Sequence, residues 1–169
     1  TGTLTQNQMT IYETFFNAGI DEELIAESMA VNSTAYLDFT DKDKPSVLGN
    51  PTEGALLLWL YGKGINYLPI REESEVLQQL TFSTERKYMA TLVQSPSLGK
   101  PVLYVKGAPE IVMTFCHEGG KFLSDISQAD FEAKLLQYQN QAMRTIGFAY
   151  KVIDDPKAII SEKGKLVVN

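Results

Sequence analysis

The sequence has a single cysteine, Cys116, and a single histidine, His117. No internal disulfide can therefore form, and these two side chains supply only two of the four ligands that a structural zinc site needs. They are neighbours at the expected end of a helix, where they cannot face each other as a nucleophile and its base. No HExxH, GxSxG or GxxxxGKS pattern occurs. The sequence thus argues against a catalytic centre within this chain.

Long apolar runs and an excess of positive charge are also missing. The longest apolar run, residues 55–61, is far shorter than the roughly 20 residues that cross a bilayer. With 15 basic and 21 acidic residues, the net charge of -6 argues against a nucleic-acid partner. Of these, 12 acidic but only 4 basic residues precede Thr81. An anionic ligand is therefore expected mainly on the second half of the chain.

Capping residues and apolar spacing predict helices towards both ends of the chain. Residues 21–30 start with three acids, which favour the positive end of a helix dipole. Asn50 can cap a second helix, which Pro51 begins and Gly62 and Gly64 end. The apolar residues 55–61 lie on every side of this helix, which indicates a buried helix. A longer helix is expected over residues 127–143, with one buried face made of Phe131, Leu135, Tyr138 and Ala142.

Between these helices the sequence predicts strands. Residues 76–82, 87–94 and 102–106 are extended runs joined by short polar turns, which indicates an antiparallel meander. A short helix is expected to begin near Glu110, and residues 145–153 return as a strand. Strands grouped together, with helices before and after them, predict an α+β fold.

A dispersed set of residues in the second half has the chemistry to bind a nucleotide. Phe82 and Lys87 flank the first hairpin loop, Lys106 and Gly107 end the third strand, and Arg144 ends the long helix. An aromatic ring, several cations and a glycine that permits close backbone approach suit a purine and its phosphates. Each residue also has a plainer structural interpretation: a core aromatic, two solvated strand ends and a cation that complements the helix dipole.

Five segments together resemble the cytoplasmic nucleotide-binding domain of P-type cation-transporting ATPases. They are TGTLT at residues 1–5, PTEGAL at 51–56, FSTERKYMATL at 82–92, KGAPE at 106–110 and MRTIGFAYK at 143–151. Their order and spacing match that family over essentially the whole chain, and the match is closest to the calcium-pumping members. The resemblance implies an α+β domain in which an antiparallel sheet of about six to seven strands is flanked by helices.

The resemblance also implies a ligand and a division of labour among the candidate residues. The ligand is ATP, taken as Mg-ATP by the full-length protein. The implied contacts are adenine stacked on Phe82, Glu53 near the adenine amino group, Lys87 and Lys106 lining the pocket, Gly107 admitting the base, and Arg144 reaching phosphate or ribose.

Two details of this implied site stay open. Glu53 has a structural alternative, because a glutamate three residues after Asn50 can complete a capping box. Thr84 stands where many calcium pumps carry an arginine, so a phosphate contact is either missing or supplied by Arg86 instead.

The whole chain, residues 1–169, is expected to be one nucleotide-binding domain, with residues 1–8 and 155–169 connecting it to a separate phosphorylation domain. In the family TGTLT follows the aspartate that accepts the γ-phosphoryl group, so we expect the chain to be cut from a longer polypeptide. Its partners are then ATP and the phosphorylation domain, actuator domain and membrane helices of that polypeptide. The resemblance implies a cytoplasmic domain of an ion-translocating ATPase that hydrolyses ATP. The isolated fragment is expected to bind ATP but not to hydrolyse it. Two alternatives are a regulatory ATP-sensing domain and a protein-interaction module without pump activity.

Overall fold

The computed structural model describes residues 9–156, so the connecting segment predicted at residues 1–8 and most of that predicted at 155–169 lie outside it. The described part has the predicted α+β class. Its elements in chain order are α1 Glu22–Val31, β1 Tyr36–Asp38, β2 Ser46–Leu48, α2 Pro51–Gly62, α3 Tyr67–Glu73, β3 Glu75–Leu80, β4 Tyr88–Ser95, β5 Lys100–Gly107, α4 Pro109–Phe115, β6 His117–Glu118, β7 Lys121–Phe122, α5 Gln128–Asn140 and β8 Gly147–Val152.

These elements form two compact units. The first contains residues 9–16 and 20–73, and the second contains residues 17–19 and 74–156. Each unit has a core of its own, described below. The single nucleotide-binding domain expected over residues 1–169 stays a prediction.

The first unit packs three helices with the small antiparallel hairpin of β1 and β2. Helix α2 lies against this hairpin so closely that a Cβ added at Gly54 would be 2.1 Å from Cγ1 of Val47. The core residues of this unit are apolar and at most 7% exposed: Leu24, Ala26, Met29, Ala30, Val31, Ala35, Leu37, Ala55, Leu56, Leu57, Leu60 and Tyr67.

The ends of α2 follow the sequence prediction. The side chain of Asn50 accepts hydrogen bonds from the backbone N–H groups of Thr52 and Glu53, at 2.8 and 3.1 Å. Gly64, with φ of +80°, donates its N–H to the Tyr61 carbonyl and closes the last turn. The prediction of burial on every side is wrong, because Tyr61 is exposed and Leu58 and Trp59 are half-buried.

The second unit is built on a four-stranded antiparallel sheet with strand order β3-β4-β5-β8. The predicted meander is its first three strands, and β8 completes it beside β5. Helix α4 packs on β5 and β8. The core between them is made of Leu80, Tyr88, Ala90, Leu92, Leu103, Val105, Val112 and Ile153.

Helix α5 departs from its prediction. It ends at Asn140, and none of its residues is fully buried. Phe131 packs edge-on against the ring of Phe122, with centroids 5.6 Å apart, and Leu135 and Tyr138 are only half-buried. Ala142 lies beyond the helix, exposed, with φ of +57°. The prediction that Ala142 belongs to a buried helical face is therefore wrong.

Candidate functional site

Four of the predicted binding residues belong to segments that meet at one end of the sheet in the second unit. They are Phe82, Lys87, Lys106 and Gly107. Tyr88, Gly107 and Gly147 are aligned there as neighbours on β4, β5 and β8. The hairpin loop that contains Phe82 and Lys87 leads into this end of β4. The antiparallel arrangement therefore joins the FSTERK and KGAPE segments, which are distant in sequence.

Phe82 presents an aromatic surface to solvent in this region. It follows the end of β3 at Leu80, and 56% of the residue is exposed. Its interpretation as a core aromatic is therefore wrong. Large exposed aromatics have a flat apolar face on which a planar ligand can stack. Phe82 has the position and exposure that a base-stacking residue requires.

Lys87 stands at the other end of the loop in an unusual backbone conformation. Its φ is +65°, in the left-handed region that L-residues rarely adopt. Its N–H donates to the carbonyl of Ser83 at 2.8 Å, and its own carbonyl accepts from the N–H of Ala108 at 2.9 Å. The residue is exposed. The backbone is held at both ends while the residue as a whole faces solvent.

Lys106 occupies a different environment, because it is only 6% exposed. Its neighbours across the sheet are Met89 on β4 and Phe148 on β8. The interpretation of Lys106 as a solvated strand end is therefore wrong. Alternation along β5 could not have shown this, because both faces of the strand are buried: Tyr104, on the face of Lys106, is 1% exposed, and Val105, on the other face, is 5% exposed.

Gly107 lies directly against the start of β4. A Cβ at this position would be 2.3 Å from the carbonyl oxygen of Lys87 and 2.6 Å from Cα of Tyr88. Both distances are well below any normal contact. Glycine is therefore required here by the approach of two strands, whatever ligand the site takes.

Arg144 lies in the segment that leads into the same end of the sheet. It is exposed, four residues beyond the last residue of α5 and three before Gly147. Because α5 ends at Asn140, the prediction that Arg144 ends the long helix is wrong. The helix-dipole interpretation loses its basis with it, since the dipole acts within the last turn.

Thr84 and Arg86 differ in how the hairpin loop holds them. Thr84 is exposed. Nη2 of Arg86 donates to the carbonyl of Thr81, while its Nε is buried without a hydrogen-bond partner among residues 9–156. The guanidinium of Arg86 is thus tied to the backbone one residue before Phe82.

Glu53 belongs to the first unit and is 9% exposed. Its Oε2 accepts hydrogen bonds from the N–H of Thr34 at 2.7 Å and of Ala35 at 3.1 Å, and from the hydroxyls of Ser33 at 3.0 Å and Thr34 at 3.2 Å. Hydrogen bonds to a charged carboxylate are stronger than those between neutral groups, so these four bonds restrain the backbone segment that donates them. Glu53 therefore organises residues 33–35.

Arg71, on α3, is a further organising residue that the sequence did not reveal. Its Nε and Nη1 donate to the carbonyls of Ala30 and Ala35, both at 2.8 Å. Its guanidinium lies 4.6 Å from the ring centre of Tyr67 and 5.0 Å from that of Tyr36. Burial lowers the pKa of Arg71, and the negative charge of Glu53 is among the effects that oppose this. No local pattern marks such a residue, because its partners are distant in sequence.

Residues 9–156 offer no cluster of three or more His, Cys, Asp or Glu side chains that could hold a metal ion. None of the helices in that part of the chain is long and apolar enough to cross a bilayer. We therefore assign no metal ligand to the described residues. The candidate residues at the sheet end are an aromatic, two lysines, a glycine and a nearby arginine.

Comparison with protein families gives a match over most of the chain. The profile of the P-type ATPase cytoplasmic domain N matches residues 22–166. The chain belongs to this family. The resemblance to this family is thereby confirmed. The PTEGAL, FSTERKYMATL, KGAPE and MRTIGFAYK segments lie within the matched residues, whereas TGTLT at residues 1–5 lies outside them. The α+β fold of this N domain agrees with the match.

This N domain is similar in sequence to several calcium-transporting ATPases. Calcium-transporting ATPase 1 of Lactococcus lactis is 30% identical over 93% of the chain, and calcium-transporting ATPase PAT1 of Dictyostelium discoideum is 36% identical over 89%. Calcium-transporting ATPase 2 of Cryptococcus neoformans is 31% identical over 77%. The alignments cover 19%, 15% and 10% of these relatives, so the N domain spans less than a fifth of each.

Proposed function

We propose that this N domain binds ATP for a P-type cation-transporting ATPase, and that the transported ion is Ca²⁺. The domain holds the nucleotide and presents its γ-phosphate to an aspartate in a separate phosphorylation domain of the same polypeptide. Family membership and the names of the relatives support this proposal. As part of such a pump, the N domain is a cytoplasmic domain of an integral membrane protein.

The observation that carries ATP binding is the exposure of Phe82 in the loop at the sheet end where Gly107 and Gly147 are aligned. Stacking of a base on an aromatic side chain contributes about 1–3 kcal/mol, which makes it a strong anchor. Lys87, Lys106 and Arg144 supply positive charge for the phosphates. Gly107 belongs to the same site. The site therefore holds the base by stacking and orients the phosphates by charge.

Glu53 is proposed to lie near the adenine amino group, as the family resemblance implies. Its hydrogen bonds to residues 33–35 give it a structural role as well. ATP and GTP separate the two roles, because GTP carries a carbonyl where ATP has the amino group. A Glu53→Gln variant that lowers ATP affinity but leaves GTP affinity unchanged supports the contact with adenine.

Substitution of Phe82 tests the proposal directly. We expect Phe82→Ala to weaken ATP binding by about 1–3 kcal/mol in calorimetry or amide-shift titration, because the stacking surface is lost. Tyr150→Ala is the matched control, since Tyr150 is 46% exposed on β8 of the same sheet. Equal ATP affinity in folded Phe82→Ala and wild-type protein contradicts the proposed site.

Phosphate and metal requirements give a second test. We expect AMP to bind within roughly tenfold of ATP, because ion pairs made by the exposed residues Lys87 and Arg144 contribute only about 0–1 kcal/mol each. Chelation of Mg²⁺ with EDTA should change ATP affinity little, because the described residues offer no metal-binding cluster. Incubation with γ-labelled ATP should neither label the 169-residue chain nor release phosphate. Stable labelling of the chain contradicts the assignment of phosphoryl transfer to another domain.

A further inference from the structure

The left-handed backbone of Lys87 is the starting point. For an L-residue this conformation costs roughly 1–2 kcal/mol, and it persists only where the surroundings enforce it. Here the two backbone hydrogen bonds, to Ser83 and from Ala108, enforce it. Strained residues of this kind cluster at active sites and ligand-binding sites.

Gly107 makes this arrangement of Lys87 possible. Its own φ is not in the left-handed region, so conformational freedom does not explain the glycine. The glycine is explained by the space that it leaves free, because a Cβ at position 107 would be 2.3 Å from the carbonyl oxygen of Lys87. A side chain at Gly107 would have to displace that carbonyl. It would also displace the hydrogen bond that the carbonyl accepts from Ala108.

We propose that Gly107 is a positioning residue that acts on the nucleotide through Lys87. Its lack of a side chain lets the end of β5 pack against the Lys87 carbonyl, and this packing fixes the direction in which the Lys87 side chain leaves the backbone. The proposal rests on the proposed function, since it assumes that the Lys87 ammonium meets the phosphates. It differs from the role that the family resemblance implies for Gly107, which is direct approach of the base.

Adenosine and ATP separate these two roles. If Gly107 acts through the Lys87 ammonium, Gly107→Ala weakens ATP binding by about fivefold, the upper range for one exposed ion pair, and leaves adenosine binding unchanged. If Gly107 admits the base directly, Gly107→Ala weakens adenosine and ATP binding alike. The second result overturns the proposal.

A double-mutant cycle with Lys87→Ala tests the route through Lys87. Two residues that act on one contact are strongly non-additive, whereas independent residues add. We expect the double variant to bind ATP within about twofold of the weaker single variant, since the shared contact can be lost only once. Losses that multiply in the double variant contradict the proposal.

A second substitution covers the case in which Gly107→Ala does not fold. Ala108→Pro removes the N–H that donates to Lys87, while the φ of Ala108, -55°, already suits proline. It is expected to weaken ATP binding as Gly107→Ala does, and again not additively with Lys87→Ala. Full ATP affinity in folded Ala108→Pro overturns the proposal.

Phe82→Ala keeps this test separate from the proposed function. If Phe82→Ala weakens ATP binding while the Gly107 and Lys87 variants do not, the nucleotide site stands and the positioning role is wrong. If wild-type protein binds neither ATP nor adenosine, the proposed function itself is wrong.

Discussion

Glu53 and Arg71 hold opposite sides of the same residue, Ala35. Oε2 of Glu53 accepts the Ala35 N–H at 3.1 Å, and Nη1 of Arg71 donates to the Ala35 carbonyl at 2.8 Å. Both bonds involve a charged partner, and such bonds are about twice as strong as those between neutral groups. The segment after α1 is thus fixed between an anion from α2 and a cation from α3.

We predict that Glu53→Gln lowers the free energy of unfolding of the first unit by about 1–3 kcal/mol, because buried donors lose a charged acceptor. Trp59 is the only tryptophan and lies in this unit, so its fluorescence in urea reports the change. Glu22→Gln is the matched control. The side chain of Glu22 is 68% exposed and pairs with Lys63 at 3.6 Å, so its loss should cost less than about 0.5 kcal/mol.

Urea unfolding followed by Trp59 fluorescence also tests whether Glu53 and Arg71 act together on Ala35. Arg71→Lys keeps the charge but cannot reproduce the fork that donates to two carbonyls. The cost of the double variant should fall short of the summed single costs by about 0.5–3 kcal/mol, because each substitution loosens the same segment. Additive costs, or equal effects of Glu53→Gln and Glu22→Gln, contradict the shared hold on Ala35.

We predict that Gly54→Ala destabilises the first unit, against the usual preference of helices for alanine. That preference is about 1 kcal/mol, but the new Cβ would collide with the Val47 side chain, and overpacking costs about 1–3 kcal/mol. Gly62→Ala in the same helix has no atom within 4 Å and should not destabilise. Urea unfolding measures both. Val47→Ala should partly rescue Gly54→Ala, and a stabilising Gly54→Ala contradicts the packing.

The sequence predicted correctly those elements that are bounded by helix-capping residues or by turn residues. Asn50, Pro51 and Gly62 mark α2 correctly, and the turns between β3, β4 and β5 were placed within two residues. Helix α3 was missed because it is seven residues long and contains Pro69. The strands β1, β2, β6 and β7 have only two or three residues each, too few to show an alternating pattern.

The candidate site was less accessible to sequence reasoning than the fold. Composition identified the chemistry of Phe82, Lys87 and Arg144, but not their exposure. The burial of Lys106 depends on its neighbours in the sheet, which are Met89 on β4 and Phe148 on β8. Arg71 donates hydrogen bonds to the carbonyls of Ala30 and Ala35, from which it is separated by 41 and 36 positions in the sequence. No local sequence pattern encodes such a contact.

We predict that Cys116 makes stability fall at alkaline pH. Burial raises the pKa of its thiol, and Sγ donates to the Val112 carbonyl at 3.3 Å. The folded state thus binds this proton more tightly than the unfolded state, whose thiol pKa is about 8.5. The contribution is fully present below that pKa and is lost as pH rises through the raised folded pKa. Cys116→Ala removes this contribution.

Urea unfolding at pH 7 and pH 9.5 checks this prediction. The stability difference between wild-type protein and Cys116→Ala should be larger at pH 7, since only wild type loses the contribution of the thiol on titration. Because tyrosines and lysines titrate in both proteins, the difference isolates Cys116. A difference that does not change with pH contradicts the prediction.

We predict that Ala142→Gly stabilises the second unit, although glycine usually weakens helical segments. After α5 the N–H of Ala142 donates to the Gln139 carbonyl, and that of Met143 donates to the Tyr138 carbonyl. This is the pattern in which α2 ends, where the equivalent residue is Gly64 with φ of +80°. Ala142 adopts φ of +57° with a Cβ, so glycine should relieve about 1 kcal/mol of strain.

Ala133→Gly is the matched control, because Ala133 is exposed in the middle of α5 with ordinary helical geometry. It should destabilise by about 1 kcal/mol through the greater backbone entropy of glycine in the unfolded chain. The same substitution thus has opposite signs nine residues apart, measured by urea unfolding with far-UV circular dichroism. Destabilisation by both variants contradicts the left-handed conformation of Ala142, because only that conformation reverses the ordinary penalty for glycine.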